Sequence, residues 1–445
     1  MINVKRLPKD PGPAAWNALL PPARPARQVE DKITADWLVI GAGWAGLAAT
    51  RRLQQLRPLD RITLLEASRV GEGPAGRNSG FMIDLPHDLA SDNYNGSAES
   101  DRRQIAMNRA AIDFAAEAAE QLGMPAEAFA RSGKVNAAAS EKGARQLEDY
   151  ISHLEGLGEA FEALDDKAMQ ALTGTTYYRQ GLYTPGAAMA QSAMFIRAVA
   201  EAAAAACVDL YELSPVTSLK RSGQNWRADT PKGSITAPRV ILAVNGHAES
   251  FGFFERRLMH VFTYASMTRE LSAEEVKRLG GESRWGILPA DPMGTTVRRI
   301  SGTGGDRIVI RNRFSYDPSL AVSDRRLEKM AESHDRSFAA RFPMLGDVEM
   351  DYRWGGRLCL SRNGVPAFGE VDDNIFAACC QNGLGTTKGT LAGMLAAELA
   401  AKTNNPMISE MLAFEQPERL PPEPLAWLGA NAVMRWKELH AGLEL

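Results

Sequence analysis

Apolar and polar positions change period from block to block along this chain. Trp37-Leu38-Val39-Ile40 is a continuous apolar run, followed by the turn Gly41-Ala42-Gly43-Trp44-Ala45-Gly46 and a helical stretch. A second run, Ile62-Thr63-Leu64-Leu65, then ends at Glu66. Continuous apolar runs bounded by turn residues predict strands buried on both faces, so the opening unit reads strand, turn, helix, strand. Ile105, Ala106, Ala110, Ile112, Phe114 and Ala115 recur at helical spacing and predict a helix over 101–122, with another over 141–157. A helix over 191–206 leads into strands at 208–213, 226–230, 234–237 and 239–244, read as a second stretch of α/β sheet. Strands at 261–267, 285–288, 296–300 and 307–311, separated by polar loops, predict an antiparallel sheet. A strand at 374–378, a glycine turn at 381–389 and a helix through 401 close the pattern, and the proline-rich residues 1–35 predict an extended arm lying on the body.

The opening unit carries chemistry. Gly41 permits the tight turn, Gly43 lets backbone approach a pyrophosphate, and Gly46 lets the helix pack close on the sheet. The helix beginning at Trp44 and Ala45 points unpaired N–H groups at phosphates, and Glu66, followed by Ala67 and Ser68, is placed to accept hydrogen bonds from ribose hydroxyls. This predicts a dinucleotide site. No strand ending in an acid follows the 381–389 turn, so that turn predicts a helix start serving the same ligand, not a second Rossmann unit. A nicotinamide enzyme would continue with regular βα repeats, whereas here the glycine-rich loop 71–80 intervenes. FAD uses the leftover features: the loop passes the isoalloxazine, Val216 reaches the adenine, Asn245 and Gly246 lie by the pyrophosphate or ribose, and the last turn faces flavin N1 and O2.

The expected fold is α/β: a Rossmann-like FAD-binding domain with a second α+β substrate domain built on a mostly antiparallel sheet. Residues 1–95, 180–255 and 345–445 are assigned to the first domain, and 96–179 and 256–344 to the second. At 445 residues, two domains are the default. The charge is near balance, 51 basic against 54 acidic side chains, which disfavours a nucleic-acid partner and favours a small molecule. No apolar stretch reaches the ~18 residues of a membrane helix, and the N-terminus lacks a signal-like apolar region, so a soluble, cytoplasmic protein is expected. The four cysteines and six histidines show no metal-ligand spacing, and Cys379-Cys380 reads as two small buried residues.

The segments VIGAGWAGLAA, LLEASRVGEGPAGRNSG, GLYTPGAAMAQSAMFIRAVAEAA, VILAVNG and RWGGRLCLSRNGVPAFGEVDDNIFAACCQNGLGTTKGTLAGMLAAELA occur in this order. Over roughly residues 15–400 the chain resembles the D-amino-acid oxidase or glycine oxidase superfamily of FAD-dependent amine oxidoreductases, and within it the gamma-glutamylputrescine oxidase branch. The resemblance places Gly76, Arg77, Asn78, Ser79, Gly80, Phe81 and Met82 beside the flavin, and Gly383, Leu384, Gly385, Thr386 and Thr387 at its N1 side. It implies hydride transfer from the carbon next to nitrogen to flavin N5, an imine that hydrolyses, and O2 as acceptor. A dehydrogenase serving a quinone or carrier protein, or an FAD-carrying structural subunit, are the alternatives. The family has Gly-His-Gly where this chain has Gly383-Leu384-Gly385, a small residue at Cys380, and paired glycines near Arg311-Asn312-Arg313.

An amino-acid substrate calls for an arginine fork, with Arg311 and Arg313 as candidates and Arg357 on a similar footing. Tyr264 and His260 are expected in the pocket, and Lys388 near flavin N1 or O2, while Trp354 is assigned to the core. His87 and Cys359 match no attachment motif, so non-covalent FAD is expected.

Overall fold

The computed structural model describes residues 1–86 and 97–445. Strand β1 (Trp37–Ile40), helix α1 (Trp44–Leu56) and strand β2 (Ile62–Leu65) form where the apolar runs place them, and every residue of both strands is buried. They belong to a six-stranded sheet in the order Asp209–Tyr211, β2, β1, β3 (Arg239–Leu242), Ile375–Cys379, Ala367–Asp372. The first five strands are parallel and the last is antiparallel. Helices cover one face through Trp44, Leu47, Phe195, Ile196, Leu391 and Leu395.

A five-stranded sheet covers the other face: Ile2–Asn3, Ser218–Ser222, Asn225–Asp229, Ser234–Ala237 and Lys32–Thr34. Strands 225–229 and 234–237, expected in the α/β sheet, therefore belong to a separate layer. In Asn225–Asp229 only Trp226 and Ala228 are buried, and a strand with one apolar face fits a sheet packed on one side only. The N-terminal arm is also more than a drape. It contributes a strand to each end of this layer, and its short helix Ala15–Ala18 buries Ala15 and Trp16 completely.

The second large sheet has eight strands. In it β4 (Met259–Thr268) and then β5 (Arg307–Tyr316) follow β6 (Met350–Leu360), which is at one edge, with helix α2 (Asp324–Arg341) packed on these strands. Pairings are antiparallel except that between Trp285–Pro289 and Lys134–Ala138. Gln180–Thr184 and β6 both hydrogen bond into this sheet, so boundaries at 180 and 345 assign two of its strands to the wrong side. Helix α3 (Thr387–Ala400) lies against α1, where a side chain at Gly393 would strike the Ala45 carbonyl. The last long helix, α4 (Leu425–Ala441), packs on β5. Among the described residues, no helix is long and apolar enough to cross a membrane.

Candidate functional site

One long cavity runs from the C-terminal ends of β1, β2 and β3 to the face of the eight-stranded sheet. At its first end Gly41 takes φ +102°, and a Cβ there would lie 2.6 Å from the Ala243 carbonyl oxygen, so only glycine fits. A Cβ on Gly46 would collide with the Gly41 carbonyl, which is why helix and turn pack so closely. No side chain caps α1, leaving its first N–H groups for a ligand. Glu66 accepts the Ala42 N–H at 2.9 Å, the Ser68 N–H at 3.0 Å and the Ser68 hydroxyl at 3.1 Å. Burial raises its pKa, opposed by those hydrogen bonds. Gly43, Trp44, Ala45, Ala67, Ser68 and Val216 line the same end, Val216 from a loop.

The middle of the cavity is built by loop 71–80 and by the starts of two segments after strands. The Asn78 amide donates to the Ala75 carbonyl at 2.6 Å, and its oxygen accepts the Gly80 N–H at 2.8 Å and the Ser192 hydroxyl at 2.7 Å. Asn78, Ser79, Gly80 and Phe81 line the wall. Arg77 does not. Its guanidinium donates to the carbonyls of Glu72, Pro11 and Gly355, a buried clamp between loop, arm and β6. Gly76 and Met82 also lie off the cavity: a Cβ on Gly76 would strike the Gly71 carbonyl, and Met82 is core. Asn245 accepts the Cys380 N–H at 3.0 Å, and Gly246 lets the His260 ring approach, its Nδ1 lying 2.8 Å from where a Cβ would stand. Gly383, Leu384, Gly385 and Thr386 reach the same cavity, and α3 starts without a side-chain cap. Thr387 is buried behind them, and the half-buried Lys388 side chain is not part of the lining.

At the far end Phe81, Ile83, Leu288 and Leu384 form an apolar cluster, with Thr296 and Arg311 beside it. Arg311 donates to the Thr296 hydroxyl at 3.3 Å and lies 4.9 Å from the Phe314 ring centre. No carboxylate among the described residues pairs with it, and burial alone lowers its pKa to about 10, leaving a cation at neutral pH. The other two arginines are engaged: Arg313 with Glu438 at 2.8 Å, Arg357 with Asp10 at 3.1 Å and with His247. Tyr264 is not in the pocket. It packs with Phe262, Leu327 and Met330 under α2, and its hydroxyl meets Ser315 at 2.7 Å. His260 does line the cavity, tied through Nε2 to Glu249 at 2.7 Å, with Nδ1 unpartnered among the described residues. Trp354 is core, as expected.

Sequence reasoning missed Val4, Arg6, Leu7, Pro8 and Asp10, which bring the N-terminal arm into the cavity wall. No motif marks them; Asp10 is a single acid whose role depends on meeting Arg357 across 347 residues. It also missed Gln381, whose Oε1 is buried in the wall without a partner among the described residues. Cys359 lines the cavity as a buried thiol with its pKa pushed well up by burial, whereas His87 lies outside the described residues. Cys379 and Cys380 are fully buried.

A glycine cradle, two uncapped helix starts, an acid in the cavity wall and polar atoms of Gln381 and His260 without partners among the described residues together fit an extended dinucleotide. Comparison with known proteins agrees. The profile of the family described as FAD dependent oxidoreductase (DAO) matches residues 36–399. Gamma-glutamylputrescine oxidoreductase of Escherichia coli (strain K12) is 26% identical over 379 residues, covering 84% of this chain and 85% of that protein. Glycine oxidase of Geobacillus kaustophilus (strain HTA426) is 24% identical over 386 residues, 82% and 93% of the two chains. The crystal structure of glycine oxidase from Geobacillus kaustophilus superposes with a TM-score of 0.70 at 20% identity, covering 88% of this chain and all of that one. Iminodiacetate oxidase from Chelativorans sp. BNC1 superposes with a TM-score of 0.67 at 16% identity, covering 86% and 100%. With the profile spanning most of its length, this chain belongs to the DAO family of FAD-dependent oxidoreductases.

Proposed function

We propose that the protein oxidises a carbon–nitrogen bond of an amine that also carries a carboxylate, an amino acid or N-substituted amino acid, with non-covalent FAD as cofactor and O2 as acceptor. The observation that carries this reading is Arg311, a cation in the cavity wall with no acidic partner among the described residues. A guanidinium half-buried without a counter-charge is costly unless a ligand supplies one, and its fork matches a carboxylate. The names of the relatives, glycine oxidase, iminodiacetate oxidase and gamma-glutamylputrescine oxidoreductase, point to the same substrate class.

Bound FAD supplies the two-electron chemistry, taking a hydride from the substrate carbon. Gly41, Gly43 and the α1 N–H groups would hold its pyrophosphate, Glu66 its ribose, and the start of α3 the ring end that gains negative charge on reduction. The chain's own residues do the rest. Arg311, steadied by Thr296 and the Phe314 ring, fixes the carboxylate end. Phe81, Ile83, Leu288 and Leu384 exclude water and favour the neutral amine over the ammonium, so the lone pair is available. Hydride loss from a neutral amine requires no side chain as a base.

Anaerobic mixing of the holoenzyme with a panel of amino acids, N-substituted amino acids and simple amines tests the substrate class. Bleaching of the yellow flavin by carboxylate-bearing members is expected, and bleaching only by amines without a carboxylate would refute it. Admitting air to the reduced enzyme tests the acceptor: prompt reoxidation with hydrogen peroxide is expected, and slow reoxidation would assign the electrons to a quinone or carrier protein.

A further inference from the structure

Arg298 is a buried charge that the proposed chemistry leaves unused. Its strand, Thr296–Ile300, pairs Thr296 with Arg311 and Arg298 with Val309, and side chains two residues apart share a face. Arg298 therefore sits on the same face of the eight-stranded sheet as Thr296 and Arg311, and it is only 7% exposed. It does not line the cavity. Its guanidinium Nη1 instead donates to the carbonyls of Ser79 at 2.7 Å and Ala190 at 2.8 Å, and the group lies 5.1 Å from the Trp16 ring centre. Gly80 marks how close the approach is: it takes φ +79°, and a Cβ there would stand 2.6 Å from Nη1. Ser79 and Gly80 are cavity wall, so the cation lies one residue's thickness from the space inside.

Two carbonyls orient a guanidinium but do not neutralise it. No carboxylate among the described residues pairs with Arg298, its Nε has no partner there, and the residues around it, Gly80, Ala190, Trp16, Gly286 and Val309, bring no titratable group. Burial lowers its pKa to about 10, which leaves it charged at neutral pH. A buried cation without a counter-charge is costly, and a neutral amide could satisfy the same carbonyls. We propose that Arg298 acts through the cavity wall as the fixed positive charge that favours the reduced, anionic form of the flavin and so sets its reduction potential. Uptake of a hydride leaves the flavin with one more negative charge, and that charge meets Arg298 across protein, where it is screened far less than in water. Arg311 loses this capacity once a substrate carboxylate neutralises it. Arg298, outside the cavity, keeps its charge throughout turnover. The inference rests on the isoalloxazine lying along loop 71–80, and it is independent of which amine is oxidised.

The test is the reduction potential of full-length, substrate-free holoenzyme, measured anaerobically against an indicator dye. Arg298→Gln keeps a donor for the carbonyls and removes the charge. It should lower the ratio of reduced to oxidised flavin, at equal dye potential, by about tenfold or more, which is ~30 mV for a two-electron couple. Arg298→Lys keeps the charge and should restore most of that loss, with bound FAD per chain unchanged in both variants. An unchanged potential in Arg298→Gln, or an equal fall in Arg298→Gln and Arg298→Lys, would overturn the inference and leave Arg298 as a clamp on loop 71–80. If Arg298→Gln does not retain FAD, Arg298→Lys decides alone. Burial lowers Lys134 of this protein to about 8, so the lysine introduced at the buried position is expected to lose its proton as pH rises from about 7 to 9. The potential of Arg298→Lys should then fall more steeply with pH than that of wild type, and parallel slopes would overturn the inference. With no substrate present, either result leaves the substrate class to its own test.

Discussion

Arg311, Arg313 and Arg357 are equal candidates as residue types, and only their partners separate them. Arg313 and Arg357 each face a carboxylate, while Arg311 faces the cavity. Replacing Arg311 by leucine is expected to raise KM for the carboxylate substrate by about 10- to 100-fold, the 1.5–3 kcal/mol of a charged hydrogen-bonded contact. Lysine should fall between, and steady-state kinetics would show the split. At the other end of the cavity, Glu66→Gln places an amide NH2 where the Ala42 or Ser68 N–H now donates. FAD affinity should drop about 10-fold or more, read as fluorescence of released flavin. The residues at this end were legible in the sequence because Gly41, Gly43, Gly46 and Glu66 act through local backbone geometry. Arg77 was legible as special but lies off the cavity: two of its three carbonyl partners, Pro11 and Gly355, come from distant segments, which no local pattern discloses.

Among the elements, β5 shows how a site depends on what lies behind it. Its pairing with β4 skips Arg313, which takes φ +61°, and this bulge leaves the Phe314 N–H to Glu438 of α4 at 3.0 Å. Glu438 also accepts from Arg313 and Arg435, so a buried acid holds the strand two residues from Arg311. Glu438→Gln should lower stability by about 2 kcal/mol, discounted for the half-exposed Arg435, and raise KM more than it changes kcat. The bulge was invisible in the sequence, where the apolar pattern ended the strand at Arg311 and left Arg313 outside it. The same blindness misplaced Tyr264: residues 262, 264 and 266 face α2, a choice set by packing with Leu327 and Met330. Also on α2, His334 is buried against Ser266 with its pKa lowered to about 3, chiefly by desolvation. The unfolded histidine takes up a proton near pH 6.5 and the folded one does not, so stability falls with pH from there toward about 3. Denaturant titrations should show up to about 1.4 kcal/mol lost per pH unit from this group, and the slope should diminish in His334→Gln.

For the whole molecule, the sequence announced a Rossmann unit, an antiparallel partner and one ligand spanning both. Those followed from run length, glycine turns and alternation, signals that act within about ten residues. The partition into layers did not follow, because pairing of Lys32–Thr34 with Ser234–Thr236, or of β6 with β4, is decided by long-range register. The N-terminal arm belongs to this scale. Deleting residues 1–10 removes Asp10 from Arg357 and five residues of cavity wall, and should weaken FAD binding while the eight-stranded sheet stays folded. The central claim joins both ends of the cavity, FAD at one and a carboxylate on Arg311 at the other. Its most direct test is anaerobic flavin reduction by an amino acid and by the amine left when its carboxylate is removed, in wild type and in Arg311→Leu. Fast reduction of wild type by the amino acid alone, with that preference abolished in Arg311→Leu, is the expected result. Equal reduction by the two compounds in wild type, or an unchanged preference in Arg311→Leu, would contradict it.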